Sequence, residues 1–249
     1  WTTCMQTKFI DGDRQLYGQW RQKLVQSRNP RQCKQFLQTL QQARQKRRAH
    51  YAESNYLLEP NIKEGLGGLR DLHSLRWCGL VFQGDADVQT MQEVGWLDDM
   101  EAHWLQHAED FLWRVRLQLH LIAPRRTDQL LMQDQHELAT RLGFEDNQEG
   151  GRAVEGFMRH YYRQTSRVRR VTDFLFERLE LDLLPARMRR RKQKVLPGPF
   201  VLDEEHIRFH DPEMVRSNPG LLMQLFAQAA KYKAHFHHET GQIVRNNLN

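Results

Sequence analysis

At 249 residues, with 39% hydrophobic and 27% charged positions, the chain can bury a substantial core while its helices expose polar faces. Twelve Phe, six Trp and six Tyr exclude a solvated, disordered polymer, and only eight Pro and fifteen Gly favour an all-α class. With no long apolar run and no signal-like opening, a soluble, cytosolic segment is the expectation; scattered Cys4, Cys33 and Cys78 indicate neither a disulfide framework nor a thiolate zinc site, and a net charge of +6 does not by itself establish nucleic-acid binding.

The first predicted helix runs from Asp13, a possible N-cap, to about Val25, with Leu16, Trp20, Leu24 and Val25 at helical spacing. Asn29-Pro30 breaks it. A second helix follows from about Arg31 to Tyr51, with Phe36, Leu37 and Leu40 inward. Its basic end, Arg44, Lys46, Arg47 and Arg48, reads as a solvated face that also complements the helix dipole. Asn55 to Gly68 reads as a loop, and Leu69 opens a helix reaching about Phe82. Gly84 and Gly95 mark short connections.

Phe111 to Leu121 carries two periods at once. Val115, Leu117, Leu119 and Leu121 alternate as in a strand, whereas Phe111, Val115, Leu119 and Ile122 form a helix face that Trp104, Leu105 and Ala108 extend. Helix is the expectation, ended by Pro124 and followed by an irregular connector over Thr127 to Met132. Gln135 to Leu142 should form a short helix closed by Gly143. Arg152 to Leu183 should form a long one with Val154, Phe157, Tyr161, Val168, Val171, Leu175 and Leu179 inward.

From Pro185 to Pro199 the composition changes to a basic run, Arg187, Arg189, Arg190, Arg191, Lys192 and Lys194, followed by Pro197-Gly198-Pro199. This predicts a basic linker or mobile loop over 185–199, dividing a helical bundle, 1–184, from a smaller region, 200–249. In the latter, Phe200-Val201-Leu202 and His206-Ile207-Arg208-Phe209 predict a small β-hairpin near residues 200–209. Helices over Pro219–Lys233 and His235–Leu248 should close the chain.

The most specific string is Pro60-Asn61-Ile62-Lys63-Glu64-Gly65-Leu66-Gly67-Gly68-Leu69-Arg70-Asp71. Glycine amides at a helix start, with Lys63 and Arg70 nearby, permit phosphate or carboxylate binding. The same residues also suit a tight packed loop in which Arg70 pairs with Asp71 or Glu64.

This string resembles the segment that follows the nucleotidyltransferase domain of bifunctional PII-protein uridylyltransferase/uridylyl-removing enzymes, where an Asn-Ile-Lys-Glu-Gly-x-Gly-Gly-Leu-Arg-Asp pattern opens a helix. Similar to that family as well are Thr127-Asp128-Gln129-Leu130-Leu131 leading into Gln135-His136-Glu137-Leu138-Ala139, then Leu142-Gly143-Phe144, and Val154 to Arg163. Asp211-Pro212 followed by Leu221, Leu222, Leu225, Phe226 and Ala227 looks like the run before the family's HD hydrolase domain. Glutamine-synthetase adenylyltransferases share a shorter Lys-x-Gly-x-Gly-Gly-Ile-Arg-Glu loop. Glu64, Asp71 and the C-terminal hairpin favour the uridylyltransferase.

The resemblance implies a helical scaffold segment of an enzyme that transfers UMP from UTP to the nitrogen-signalling PII protein in the cytoplasm. Its implied partners are adjoining nucleotidyltransferase and HD domains, PII and UTP. The parent enzyme is implied to use Mg2+, and no cofactor is expected in this segment. Lys63, Glu64, Gly65, Gly67, Gly68, Arg70 and Asp71 form the candidate loop, either near the nucleotide or structural.

No catalytic or metal residue is assigned, because the family's transfer needs a Gly-Ser turn upstream of an Asp-x-Asp pair. Asp11-Gly12-Asp13 and Asp85-Ala86-Asp87 have the spacing without the turn, and Asp13 is better read as a helix cap. His210-Asp211 lacks the further ligands of a phosphohydrolase. His235, His237, His238 and Glu239 read as a solvated or partly packed face. The competing reading is a basic helical nucleic-acid-binding protein using Arg44–Arg48 and Arg187–Lys194, although no recognised binding motif accompanies that charge.

Overall fold

The computed structural model describes residues 9–26, 29–52, 58–123, 125–146, 152–183, 193–203, 206–211, 213–236 and 238–247. By packing, the chain divides into two compact units, residues 1–176 and 177–249.

The first unit is helical. Helix α1 spans Arg14–Gln26 and α2 spans Pro30–Ala52. Asp13 caps α1, its Oδ1 accepting the Gln15 and Leu16 amides at 2.7 and 3.1 Å. Asn29 does the same for α2 through the Arg31 amide, ahead of a proline whose fixed φ suits a first helical turn. Of the residues predicted at helical spacing on α1, Leu16 is exposed and Trp20 stacks on Tyr17.

Helix α3, Leu69–Phe82, starts where the glycine string ends and packs against α2, α4 (Val88–Glu93) and α5 (Asp99–Ile122). Helix α4 was not expected, since only the flanking Gly84 and Gly95 carried a signal. Asp87 caps α4, and both glycines have positive φ, at 88° and 70°. A capping box opens α5: the Asp98 side chain accepts the Glu101 amide while the Glu101 side chain accepts the Asp98 amide.

Packing resolves the double period in α5 as helix. Phe111, Val115 and Leu119 are buried, while Leu117 and Leu121, inward on a strand reading, are 59% and 64% exposed. Helix α6, Met132–Arg141, packs on α5 and ends in a turn with Gly143 at φ 83°. Helix α7, Ala153–Leu183, buries Phe157, Tyr161, Val168, Val171, Leu175 and Leu179, and leaves Val154 half-buried.

The second unit holds a four-stranded sheet instead of a two-stranded hairpin. Strands β1 (Gln193–Leu196), β2 (Phe200–Asp203) and β3 (His206–Phe209) form an antiparallel meander, and β4 (His235–Phe236) joins β3 in parallel. Strand β1 lies in the basic stretch expected to be a linker. It is an edge strand whose described side chains are exposed Lys194 and Val195 and inward Leu196, two consecutive exposed residues that break the alternation of a half-buried strand. The Pro197-Gly198-Pro199 turn has Gly198 at φ 86°.

Short helix α8 (Met214–Ser217) was likewise not expected. Helices α9 (Leu221–Tyr232) and α10 (His238–Asn247) pack on β3. Leu196, Phe200, Ile207, Phe209, Leu225 and Val244 form the heart of their common core. The helix expected from His235 starts at His238, because His235 and Phe236 are drawn into the sheet.

Truncation separates the two periods of α5. Leu119→Ala should cost about 2–5 kcal/mol in urea unfolding, while Leu121→Ala should stay within about 0.5 kcal/mol of the parent chain.

Candidate functional site

The glycine string is fastened at both ends before its side chains do anything. The Pro60 carbonyl accepts the Leu130 amide at 2.9 Å, and the Ile62 amide donates to the Asp128 carbonyl at 2.8 Å. The connector expected over Thr127 to Met132 is thus the loop's backbone partner. Asn61 Oδ1 accepts the amides of Lys63 and Glu64, and its carbonyl accepts that of Gly65. Gly68 donates to Gly65, Leu69 to Ile62, Arg70 to Lys63 and Asp71 to Gly68. These amides are used within the loop, so an outside anion would meet the side chains of Lys63 and Arg70.

Close packing explains the glycines. Gly67 has φ 70°, and a Cβ there would collide with the Thr165 carbonyl of α7. At Gly68 a Cβ would stand 2.6 Å from the Ile62 carbonyl oxygen. The string is therefore a wedge whose backbone lies directly on α7.

Asp71 locks the wedge. Its carboxyl is buried at 1% exposure; Oδ2 accepts the Gly67 amide at 2.9 Å, Oδ1 pairs with Arg47, and Arg44 Nε stands 3.6 Å away. Arg44 also donates to Asp173 of α7 at 2.9 Å, Arg48 pairs with the same carboxylate, and the Arg44 guanidinium lies 4.1 Å from the Phe176 ring centre. Burial lowers the Arg44 pKa, while the Asp71 charge opposes the shift. The basic end of α2 is thus no solvated face: Arg44, Arg47 and Arg48 turn inward because two carboxylates need them, and Lys46 stays exposed. Those arginines are consequently engaged inside the fold, which removes half the basis for a nucleic-acid reading.

The outer face of the wedge is cationic. Arg70 holds Glu64 through Nη2 at 2.8 Å and Nε at 3.2 Å, with Lys63 Nζ 3.8 Å from the same carboxylate. Of the two carboxylates considered for Arg70, Glu64 is the partner. Beside them His73 is kept neutral, its pKa lowered to about 4 by burial and then by Arg70, Arg76, Lys63 and Arg116. Among the described residues its buried Nδ1 has no hydrogen-bond partner. Arg116 and His120 hold Asp128; burial would raise that carboxyl's pKa, but the hydrogen bond and charge of Arg116, then the contact with His120, bring it below the ordinary carboxylate value. Sequence reading missed His73, Asp128, Thr165 and Asp173 as parts of this arrangement, since none lies in the string and only the packing of helices adjoins them.

The remaining candidates have local roles or fall elsewhere. Asp11 accepts the Gly12 amide, Asp85 accepts the Asp87 amide, and Asp13 and Asp87 are caps, so neither pair fits a two-metal centre. No group of three His, Cys, Asp or Glu among the described residues is placed to hold a metal ion. Asp211 accepts the Glu213 amide in a turn. Cys78 is buried, its thiol pushed up to about 12, while Cys33 is half-buried. Cys4, the run Arg187–Lys192, and the side chains of His235, His237, His238 and Glu239 lie outside the described residues. Among the described residues no helix is long and apolar enough to cross a membrane.

The comparisons with known proteins point to one family. The profile of the GlnD PII-uridylyltransferase family matches residues 35–176, from within α2 into α7. The chain is 32% identical over 250 residues to a bifunctional uridylyltransferase/uridylyl-removing enzyme of Novosphingobium aromaticivorans, covering 98% of this chain and 27% of that protein. It is 33% identical over 259 residues to the enzyme so named from Rhodospirillum rubrum, covering 99% and 27%. A Pseudomonas aeruginosa relative is 32% identical over 234 residues, covering 93% and 25%. No solved structure matches. The chain belongs to the GlnD PII-uridylyltransferase family. It spans about a quarter of the length of the curated relatives it matches.

Two measurements probe the wedge. Asp71→Ala removes the carboxylate that Arg47 pairs with and the Gly67 amide donates to, leaves Arg44 only Asp173, and should cost about 3–5 kcal/mol in denaturant unfolding. His73 binds a proton near pH 6.5 when unfolded but only near 4 when folded, so acidification between those values favours the unfolded chain. Stability should fall from pH 6.5 toward 4, and His73→Gln should flatten part of that decline in a series of Tm measurements.

Proposed function

We propose that this chain is the helical scaffold segment of a PII-protein uridylyltransferase/uridylyl-removing enzyme, which transfers UMP from UTP to the PII signalling protein in the cytoplasm. The segment joins a nucleotidyltransferase domain to an HD hydrolase domain and is not catalytic alone. The Mg2+ that UMP transfer requires belongs, on this reading, to the nucleotidyltransferase domain. The near-complete coverage of the chain by bifunctional relatives supports the assignment to such an enzyme.

The observation that carries the loop's role is the division of labour within the wedge. The amides of Ile62 to Gly65 and of Gly67 to Asp71 and the Asp71 carboxylate are used internally, while Lys63 and Arg70 stand on the outer side, half-buried and ion-paired among the described residues with Glu64. A guanidinium held in one position by a carboxylate and a Trp77 ring 5.8 Å away is pre-organised to face a phosphate group. Glu64 orients the arginine and leaves part of its fork available. In this reading the wedge borders the UTP pocket and places positive charge where negative charge develops.

The test is UMP transfer by the full-length enzyme with PII and UTP. Arg70→Ala should lower kcat/KM by about 100-fold, in line with loss of a positioned donor, with the circular-dichroism melt unchanged. Normal turnover would return Arg70 to a packing role. Transfer by the 249-residue chain alone would refute the scaffold assignment.

A further inference from the structure

Trp77 and Trp96 are buried, Trp104 is half-buried beside Arg167 and Arg170, and Trp20 stacks on Tyr17. Trp113 of α5 is 42% exposed, the most open of the described tryptophans. A lone exposed ring needs no explanation. This one, however, adjoins the cationic outer face of the wedge.

Helices α3 and α5 pass each other in opposite directions. Arg76 meets Glu109 at 2.5 Å, and next along His73 faces Trp113 with ring centres 6.3 Å apart. One turn nearer the wedge stand Arg70 on α3 and Arg116 on α5, the latter 5.3 Å from the Trp113 ring centre. Carboxylates balance most of this charge: Glu109 takes Arg76, and Asp128 takes Arg116 at 2.7 Å. Glu64 serves both Lys63 and Arg70, so the described ion pairs leave one positive charge in surplus there. The face therefore has a cationic end and an aromatic end about one helical turn apart, roughly 5 Å along the axis.

We infer that Trp113 is the stacking platform for the base of the nucleotide whose phosphates meet Lys63 and Arg70, the ligand lying across the outer sides of α3 and α5. The inference rests on the proposed role of the wedge and adds the group that holds the other end of the ligand. A nucleotide presents the same two features, an anion and a planar π-face, joined by one ribose. Stacking tolerates any base, because every base has a π-face, so Trp113 contributes affinity and leaves the choice of base to other groups. Arg116, itself anchored by Asp128, packs on the ring and limits its rotation. A protein ligand is served less well. Leu117 and Leu121 extend the exposed side of α5, but the described side chains against the Trp113 ring are an imidazole and a guanidinium, not aliphatic groups.

The experiment compares the full-length enzyme with its Trp113→Ala, Trp113→Phe and Arg70→Ala variants in UMP transfer to PII. Trp113→Ala should raise KM for UTP about tenfold or more, as expected for one lost stacked base, and Trp113→Phe should restore most of that affinity. Inorganic tripolyphosphate, which has no base, should compete with UTP, and its inhibition constant should differ less than twofold between Trp113→Ala and wild type. An unchanged KM for UTP in Trp113→Ala overturns the inference, as does an equal weakening of UTP and tripolyphosphate. A rise confined to KM for PII gives the ring to the protein acceptor and also overturns it. Arg70→Ala keeps the two readings apart: it should weaken UTP and tripolyphosphate alike. If it does so while Trp113→Ala binds UTP normally, the platform alone fails; if Arg70→Ala behaves as wild type, the wedge reading fails, and with it the placement of the phosphates. Should the wild type transfer no UMP, the same comparisons are made by equilibrium binding of UTP and tripolyphosphate.

Discussion

A carboxylate buried as deeply as Asp71 has to be neutralised where it sits, and most of the first unit's architecture follows from that requirement. Its partners come from three places in sequence: the Gly67 amide four residues back, and Arg47 and Arg44 from α2. Because Arg44 and Arg48 also reach Asp173 on α7, one charge network joins α2, α3 and α7 through side chains that cannot slide without exposing an unpaired ion. Apolar contact alone would hold these helices together with less regard for register. The network fixes which residue of each faces the others.

That register is what permits the backbone of the glycine string to lie against α7. Once Asp71 holds the Gly67 amide, the loop presents Gly67 to the Thr165 carbonyl at a distance no side chain tolerates. Lys63, Glu64 and Arg70 are left on the outer side. Charge is therefore sorted by depth: the inner cations are spent on two carboxylates of the fold, and the outer ones, around His73, face away from it.

The helical class and most element positions were legible because long amphipathic periods and caps are local signals. Asp13, Asn29 and Pro30 marked their helix ends, and Phe157 to Leu179 announced the buried side of α7. The elements that escaped notice were short or lay at an edge. Helix α4 has six residues, α8 has four, and of the described side chains of β1 Leu196 alone reaches the core. Such pieces owe their conformation to neighbours, so their own residues carry little pattern.

The basic end of α2 shows the same limit at the level of charge. Arg44 to Arg48 has the composition of a solvated helix end, and nothing within that stretch distinguishes it from one. The outcome depends on Asp71 and Asp173, which lie 24 and 125 residues from their partners Arg47 and Arg48.

By itself the sequence determined the all-helical class, the caps and the glycine string with its family likeness, because each is written in residues near one another. Only the tertiary structure decided that the string's amides are consumed internally, that Arg70 takes Glu64, and that Asp71 is the keystone of three helices. Those outcomes depend on which distant carboxylate, amide or guanidinium reaches a buried charge first, and burial is a property of the assembled chain.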